Sequence, residues 1–292
     1  MDSTAPRMIK EITSSANPLV KELRKLRAHR GLSKDGRMLL EGVRLVDSAR
    51  RTGRTIRQLV ICPALFKHAY TAELLEKLPA VPMAQVPQAL FEQIAERDDP
   101  AGVIAVCDAP ETGFEQLGHA HGLWIATEGV SKPGNIGDIV RTADGVGADG
   151  VIVCGEGAHP LSTGAVVASL GAVFHVPIAH DPKCTGVGAW IAAERARDPR
   201  LQVVATSPAG KIAFHQIDGT RPTVIFMGSE QNGMSEKCFK LCDTIVQLPM
   251  VGSMDSLNVA TSMAVLAYEV LRQRGVGVHT APQPAAKNDA EG

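Results

Sequence analysis

The sequence predicts an α/β protein: a C-terminal domain built on a parallel sheet, preceded by a smaller α/β domain. Three observations predict it. Apolar runs of strand length recur through residues 122–275 and alternate with stretches at helical spacing. Most of those runs are apolar throughout rather than alternating with polar residues, the pattern of strands covered on both faces. The chain has 292 residues and is 45% hydrophobic, enough to fill two cores.

Taken in order, residues 1–11 read as a flexible N-terminus. Asn17 and Pro18 open a helix with Leu19, Val20, Leu23 and Leu26 at helical spacing and Lys21, Arg24, Lys25 and Arg27 between them. Residues 39–53 read as a second helix, 59–62 as a strand, 64–78 and 86–96 as helices and 102–107 as a strand. Residues 12–107 therefore form one small α/β domain. Residues 108–121 hold Pro110, Gly113 and Gly118 without periodicity and read as a linker. In the second domain, residues 122–275, strands are predicted at 123–127, 150–154, 172–178, 201–206, 222–227 and 244–248. Helices are predicted at 136–146, 163–170, 188–197, 236–242 and 256–274. The tail, 276–292, is rich in Ala, Pro and polar groups and reads as disordered.

The formal net charge is -1, but its distribution is uneven. Residues 1–60 carry 14 Lys and Arg against 6 Asp and Glu, a local excess of 8. A basic lobe on a mildly acidic remainder suits a polyanion; an ordinary solvated helix face is the alternative. The six cysteines form no CxxC, and the Cys238/Cys242 pair lacks a second pair or a His to complete a zinc set. The expectation is reduced thiols in a cytoplasmic protein, with no metal. No secretion signal and no run of about 18 apolar residues is present, so no membrane partner is expected. Aromatics at 4% argue against an RNA-binding sheet of stacked rings.

Three segments carry candidate chemistry. Residues 132–142 read KPGNIGDIVRT. Here Asn135 can cap a helix, Gly137 permits close approach, and Arg141 stands outside the apolar face of Ile136, Ile139, Val140 and Ala143. Such an Arg can grip a phosphate with two donors, or simply be a surface residue. Residues 226–235 read FMGSEQNGMS, with Gly228 closing a strand, Glu230 in the loop beyond and Ser235 as a cap. This is neither a Walker A loop nor a dinucleotide GxGxxG, and it also reads as a plain turn. The third segment is Leu248, Pro249 and Met250 followed by DSLNVA at 255–260, where Ser256 is a good helix cap and Leu257 and Asn258 fall in the first turn.

Together, these segments resemble the three signature motifs of the SpoU/TrmH family of RNA 2'-O-ribose methyltransferases, within the knotted SPOUT class. ITSSANP at 12–18 through Glu41 and Gly42 resembles the start of that family's ribosomal-protein-like substrate-recognition domain. The resemblance implies a C-terminal SPOUT domain with a trefoil knot, a homodimer, S-adenosyl-L-methionine as cofactor and RNA as partner, ribosomal RNA rather than tRNA. It implies catalytic roles for Asn135, Arg141, Glu230, Ser256 and Asn258. It implies a cofactor pocket at Thr206, Gly228, Leu248, Met250, Leu257 and Asn258. Candidate RNA contacts are Lys21, Arg24, Lys25, Arg44 and Arg141. One departure stands out: many relatives place a basic residue before a Ser-x-Gly, whereas GAVVASLG at 164–171 has none. Either the substrate approaches differently or the basic N-terminal lobe supplies that charge. A tRNA enzyme, a non-catalytic RNA-binding protein of the same fold and a nucleotide-dependent metabolic enzyme are the other readings; the last lacks phosphate-binding glycine patterns.

Overall fold

The computed structural model describes residues 9–28, 32–67 and 69–275; the tail predicted to be disordered, 276–292, lies outside them. Two sheets organise the chain. The first has five strands in the order β1-β4-β3-β5-β2: β1 Ile9–Glu11, β2 Arg37–Glu41, β3 Ile56–Ile61, β4 Met83–Gln85 and β5 Val103–Asp108. Helices α1 (Pro18–Ala28) and α4 (Gln88–Ile94) pack on one face, while α2 (Val43–Arg51) and α3 (Tyr70–Lys77) pack on the other.

Two sequence expectations change here. Residues 9–11, read as part of a flexible end, form an edge strand with Ile9 opposite Met83. Their side chains are all exposed, so no buried alternation marked the strand. Residues 39–53, read as one helix, split into strand and helix at Gly42. Its φ of 100° makes the turn, which only glycine adopts without strain.

The second sheet has seven strands, β10-β12-β9-β11-β6-β7-β8, and all their pairings are parallel. In chain order its elements are β6 Leu123–Glu128, α5 Pro133–Gly145, β7 Gly150–Cys154, α6 Thr163–Ala168, β8 Ile178–Asp181 and α7 Val187–Arg197. Then come β9 Gln202–Thr206, β10 Ile212–Ala213, β11 Thr223–Gly228, α8 Glu236–Phe239, β12 Thr244–Gln247 and α9 Val259–Gln273. Along β6, Leu123 and Ile125 face α5 and α9, whereas Trp124 and Ala126 face α7. Both faces are covered, which is why the strand reads as continuously apolar. Residues 172–178, read as a strand, are instead a single helical turn at Ala172–Phe174, and β8 begins at Ile178. Pro177 has no N–H to give a ladder, so it sits just before the strand.

The two lobes share a continuous apolar core that runs from Met38, Leu40 and Leu45 to Ala172 and Val173. Ser48 Oγ on α2 donates to the Gly171 carbonyl at 3.2 Å. Residues 108–121, read as a linker, are tied down: Leu117 is buried and Trp124 Nε1 donates to the Gly118 carbonyl at 2.9 Å. The buried Asp149 carboxylate accepts the backbone N–H groups of Ala120, His121, Gly122 and Leu123. Arg274, just past α9, donates to the carbonyls of His121, Gly122, Gly219 and Arg221. Among the described residues no helix is long and apolar enough to cross a membrane.

Two predictions follow from these contacts. Asp149→Ala strands several buried N–H groups and should lower unfolding free energy by about 2–4 kcal/mol, measured by urea denaturation. Hydrogen bonds from Arg272, and then from Gln273, overcome burial and hold the Glu269 carboxyl down at about 2. A depressed folded-state value gives stability that is present above the ordinary glutamate range and lost as pH falls toward about 2. Glu269→Gln should flatten the acid limb of a thermal-midpoint profile over that window; an unchanged limb contradicts the assignment.

Candidate active site

The loops beyond the carboxyl ends of β6, β9, β11 and β12 gather along one edge of the parallel sheet. Because β6 lies between β7 and β11, the chain moves outward to one side of β6 and later returns on the other. Such a switch point opens a crevice in a parallel sheet. A cavity of about 590 Å³ lies beyond the ends of β9, β11 and β12. Thr206 ends β9, Gly228 ends β11, and Leu248, Met250 and Leu257 follow β12; all of them line the cavity, with Glu230 and Ser256. Met227, Ser229, Phe239 and Ser262 line it too and were not singled out from sequence. Ser229 lay within a flagged strand-end loop. Phe239 and Ser262 sit on helices, where no sequence period separates a lining residue from its neighbours.

The backbone of residues 249–257 makes no hydrogen bond within the described residues. Its N–H and C=O groups are therefore available to a polar, planar ligand edge, while Met250 and Leu257 offer apolar surface. Mixed lining of this kind and a volume of about 590 Å³ fit a nucleoside-sized cofactor such as S-adenosyl-L-methionine. Gly228 ends β11 on the cavity wall, and it also serves packing. A Cβ there would lie 2.2 Å from the Gly233 carbonyl carbon, so its bare backbone accommodates the returning chain. Ser229 and Gly233 exchange backbone hydrogen bonds of 3.0 and 2.9 Å, and Glu230 projects from that tight turn.

A chain of carboxamides joins the three motif segments. Asn258 Oδ1 accepts from Ala260 N at 2.9 Å and caps α9. Its oxygen being committed, Asn258 Nδ2 donates to Asn135 Oδ1 at 3.0 Å. Asn135 Nδ2 in turn donates to Glu230 Oε1 at 2.5 Å. The cap at one end and an acceptor-only carboxylate at the other set both amide orientations. Two capping expectations are corrected. Lys132, not Asn135, occupies the cap of α5, and Asn135 lies inside its first turn, buried. Asn258, not Ser256, caps α9; Ser256 is exposed on the cavity wall. Gly137 serves helix packing, since a Cβ there would lie 2.4 Å from the Ala165 carbonyl oxygen on α6.

The structure does not bring Arg141 to this cavity. It is exposed on α5, about 240° around the helix from Asn135, and has no partner among the described residues. Asn135 and Asn258 are likewise absent from the cavity wall and reach the site through Glu230. Of the basic N-terminal residues, Lys21, Lys25 and Arg44 are exposed without partners among the described residues, whereas Arg24 donates to Gln93 at 2.6 Å. Much of the remaining positive charge is neutralised locally: Arg37 pairs with Glu22 and Asp35, Arg50 and Arg51 with Asp47, and Arg57 with Asp108. Arg44 stands one helical turn before Ser48, which touches Gly171, and so flanks the segment that lacks its own basic residue.

Glu128, Cys184 and Cys238 also converge, with one ligand atom from each within 4.8 Å of the others. Sequence spacing does not show this, because the three come from widely separated elements. Burial pushes the Cys238 thiol up to about 12 and raises that of Cys184. Burial also pushes the Glu128 carboxyl up, but hydrogen bonds led by those from Ser235 outweigh it and the net direction is down.

Comparison with known proteins places these features. Residues 122–268 match the model of the SpoU rRNA Methylase family, and residues 17–105 match an MRM3-like substrate binding domain. The 23S rRNA (uridine(2479)-2'-O)-methyltransferase of Streptomyces viridochromogenes is 32% identical over 85% of this chain and 87% of its own. The crystal structure of the SpoU methyltransferase AviRb from the same organism, in complex with the cofactor AdoMet, aligns with a TM-score of 0.79. That pair is 30% identical over 89% of this chain and 99% of the other. An AdoMet-bound rRNA methyltransferase from Sinorhizobium meliloti aligns with a TM-score of 0.76 and 31% identity, over 90% of this chain and 98% of its own.

The carboxamide chain yields a paired prediction. Asn258→Ala removes both the cap and the donor to Asn135 and should cost about 1 kcal/mol of stability as well as activity. Asn258→Ser keeps a capping oxygen but loses that donor, so stability should stay within about 0.5 kcal/mol of the original while activity still falls. Chemical denaturation beside a turnover assay separates the two.

Proposed function

The chain belongs to the SpoU rRNA Methylase family, and from that premise we propose that it methylates a ribose 2'-hydroxyl in ribosomal RNA. S-adenosyl-L-methionine is its cofactor, as in the AdoMet-bound structures of the same fold. That group supplies a methyl already activated on a sulfonium. The observation that carries the reading is the Glu230–Asn135–Asn258 chain beside a cavity with unspent backbone donors. The substrate-domain match at 17–105 and the nearly full-length likeness to a 23S rRNA methyltransferase support ribosomal RNA over tRNA.

In this mechanism the protein positions groups and handles one proton. Thr206, Gly228, Leu248, Met250 and Leu257 would hold the cofactor, and the free backbone groups of residues 249–257 would meet its polar atoms. Asn135 orients Glu230 through the 2.5 Å bond to Oε1. The other carboxylate oxygen is left to accept the 2'-hydroxyl proton, with a substrate phosphate oxygen as the alternative acceptor. Ser256, exposed on the wall, contributes a hydroxyl to the bound groups. Arg141, whose guanidinium carries five N–H donors and no acceptor, serves as a phosphate clamp rather than a base. Its place outside its own chain's cavity, with Val251, Met254 and Tyr268 exposed, supports a homodimer that holds RNA across two copies. Lys21 and Lys25 on α1 and Arg44 on α2, on opposite faces of the first sheet, offer separate phosphate contacts on residues 12–107, the substrate unit; residues 122–275 form the catalytic unit, and the family's trefoil knot belongs to it.

The test is transfer of labelled methyl from S-adenosyl-L-methionine to unmodified ribosomal RNA and tRNA, followed by nucleoside analysis. Label recovered from ribosomal RNA as a 2'-O-methyl nucleoside is expected; a base-methylated product overturns the reading. Arg141→Lys keeps the charge but not the two-pronged grip, and kcat/KM should drop roughly 100-fold with cofactor affinity unchanged.

A further inference from the structure

A second polar cluster lies under the Glu230 turn and has no part in the mechanism above. Glu128 ends β6, Cys184 follows β8, and Cys238 belongs to α8. Both thiols are buried and the carboxylate is half-buried. Ser235 N donates to Glu128 Oε2 at 2.7 Å, which leaves Oε1 facing the sulfurs. Cys184 Sγ lies 3.6 Å from that Oε1. A tetrahedral cation with bonds of about 2.3 Å to sulfur and about 2.1 Å to oxygen holds its S and O donors about 3.6 Å apart. The third donor, Cys238 Sγ, lies within 4.8 Å of both, so closing the set takes a shift of at most about 1 Å.

The backbone at this point is also unusual. Cys184 has a φ of 51°, a left-handed conformation that is strained for a non-glycine residue. Lys237 Nζ donates to the Cys184 carbonyl at 2.5 Å and brings positive charge beside the thiols. No catalytic use explains this conformation at a cysteine.

We propose that Glu128, Cys184 and Cys238 bind one thiophilic divalent cation of the zinc(II) class, with a fourth position open to water. Sulfur donors select such an ion over calcium or magnesium, which take oxygen ligands. Binding converts two thiols to thiolates and releases their protons to solvent. One carboxylate and two thiolates then face the two positive charges of the ion. Burial disfavours free thiolates at this site, and metal coordination is what deprotonates such groups. The bound ion joins β6, the loop after β8 and α8, and so braces the turn that carries Glu230.

The experiment uses the full chain, reduced and stripped with a chelator, then titrated with cobalt(II) as a spectroscopic probe and with zinc(II) in competition. Expected are thiolate-to-cobalt charge-transfer bands and the intense visible bands of a tetrahedral site, saturating at one equivalent and abolished by zinc. Cys184→Ser and Cys238→Ser should each weaken binding at least roughly tenfold, while Cys107→Ser, in the other sheet, leaves it unchanged. Alkylation of the unaltered protein guards against misfolded variants, since zinc should protect Cys184 and Cys238 specifically, as mapped by mass spectrometry. Absence of saturable cobalt bands in the folded chain, or protection confined to other cysteines, overturns the proposal. None of these readouts depends on methyl transfer.

Discussion

The first turn of α9 leaves backbone N–H groups without helical partners, and the side chain that accepts them directs the polar site. Asn258 takes that role with its carbonyl oxygen. Its amino group is then bound to donate, Asn135 must receive with oxygen and pass on with nitrogen, and Glu230 completes the line as acceptor. A routine demand of helix termination thus fixes the orientation of a carboxylate two elements away. The arrangement is rigid because Asn135 is buried in the first turn of α5, and Gly137 lets that helix lie against α6 without a side chain between them.

Around this line the sheet places everything else. Parallel pairing aims the ends of β9, β11 and β12 the same way, so their loops meet at one edge. Those loops differ in how their backbone is satisfied. Residues 229–233 close on themselves in a tight turn that presents Glu230, whereas residues 249–257 leave their backbone groups open. Presentation of a proton acceptor and reception of a cofactor are thereby divided between two neighbouring strand ends. At the opposite end of the sheet, Asp149 and Arg274 hold residues 120–123 and 219–221, which steadies the frame on which the loops stand.

The N-terminal lobe contributes through its docking more than through bulk charge. Ion pairs neutralise Arg37, Arg50, Arg51 and Arg57, while Lys21, Lys25 and Arg44 are without partners among the described residues. The contact of Ser48 with Gly171 sets α2 against the segment that lacks a basic residue, with Arg44 one turn away. Charge read as a whole-lobe excess becomes, in three dimensions, a set of separate cations on two faces of the first sheet.

The sequence alone determined the parallel α/β architecture, because strands buried on both faces must be apolar at every position, and it marked the three segments that meet at the candidate site. The motifs named Asn135, Glu230 and Asn258 as well as the cavity residues Thr206, Gly228, Leu248, Met250 and Leu257. Local rules misjudged what depends on distant partners. Ser256 and Asn258 are equally good caps by composition, and only packing of α9 against α5 decided between them. Arg141 shares a motif with Asn135, yet helical geometry turns it away from the cavity. Residues 9–11 became a strand because β4 offered an edge. Glu128, Cys184 and Cys238 meet only because β6, β8 and α8 converge in the fold. Sequence spacing reports neighbours along one element, whereas these outcomes rest on contacts between elements far apart in the chain.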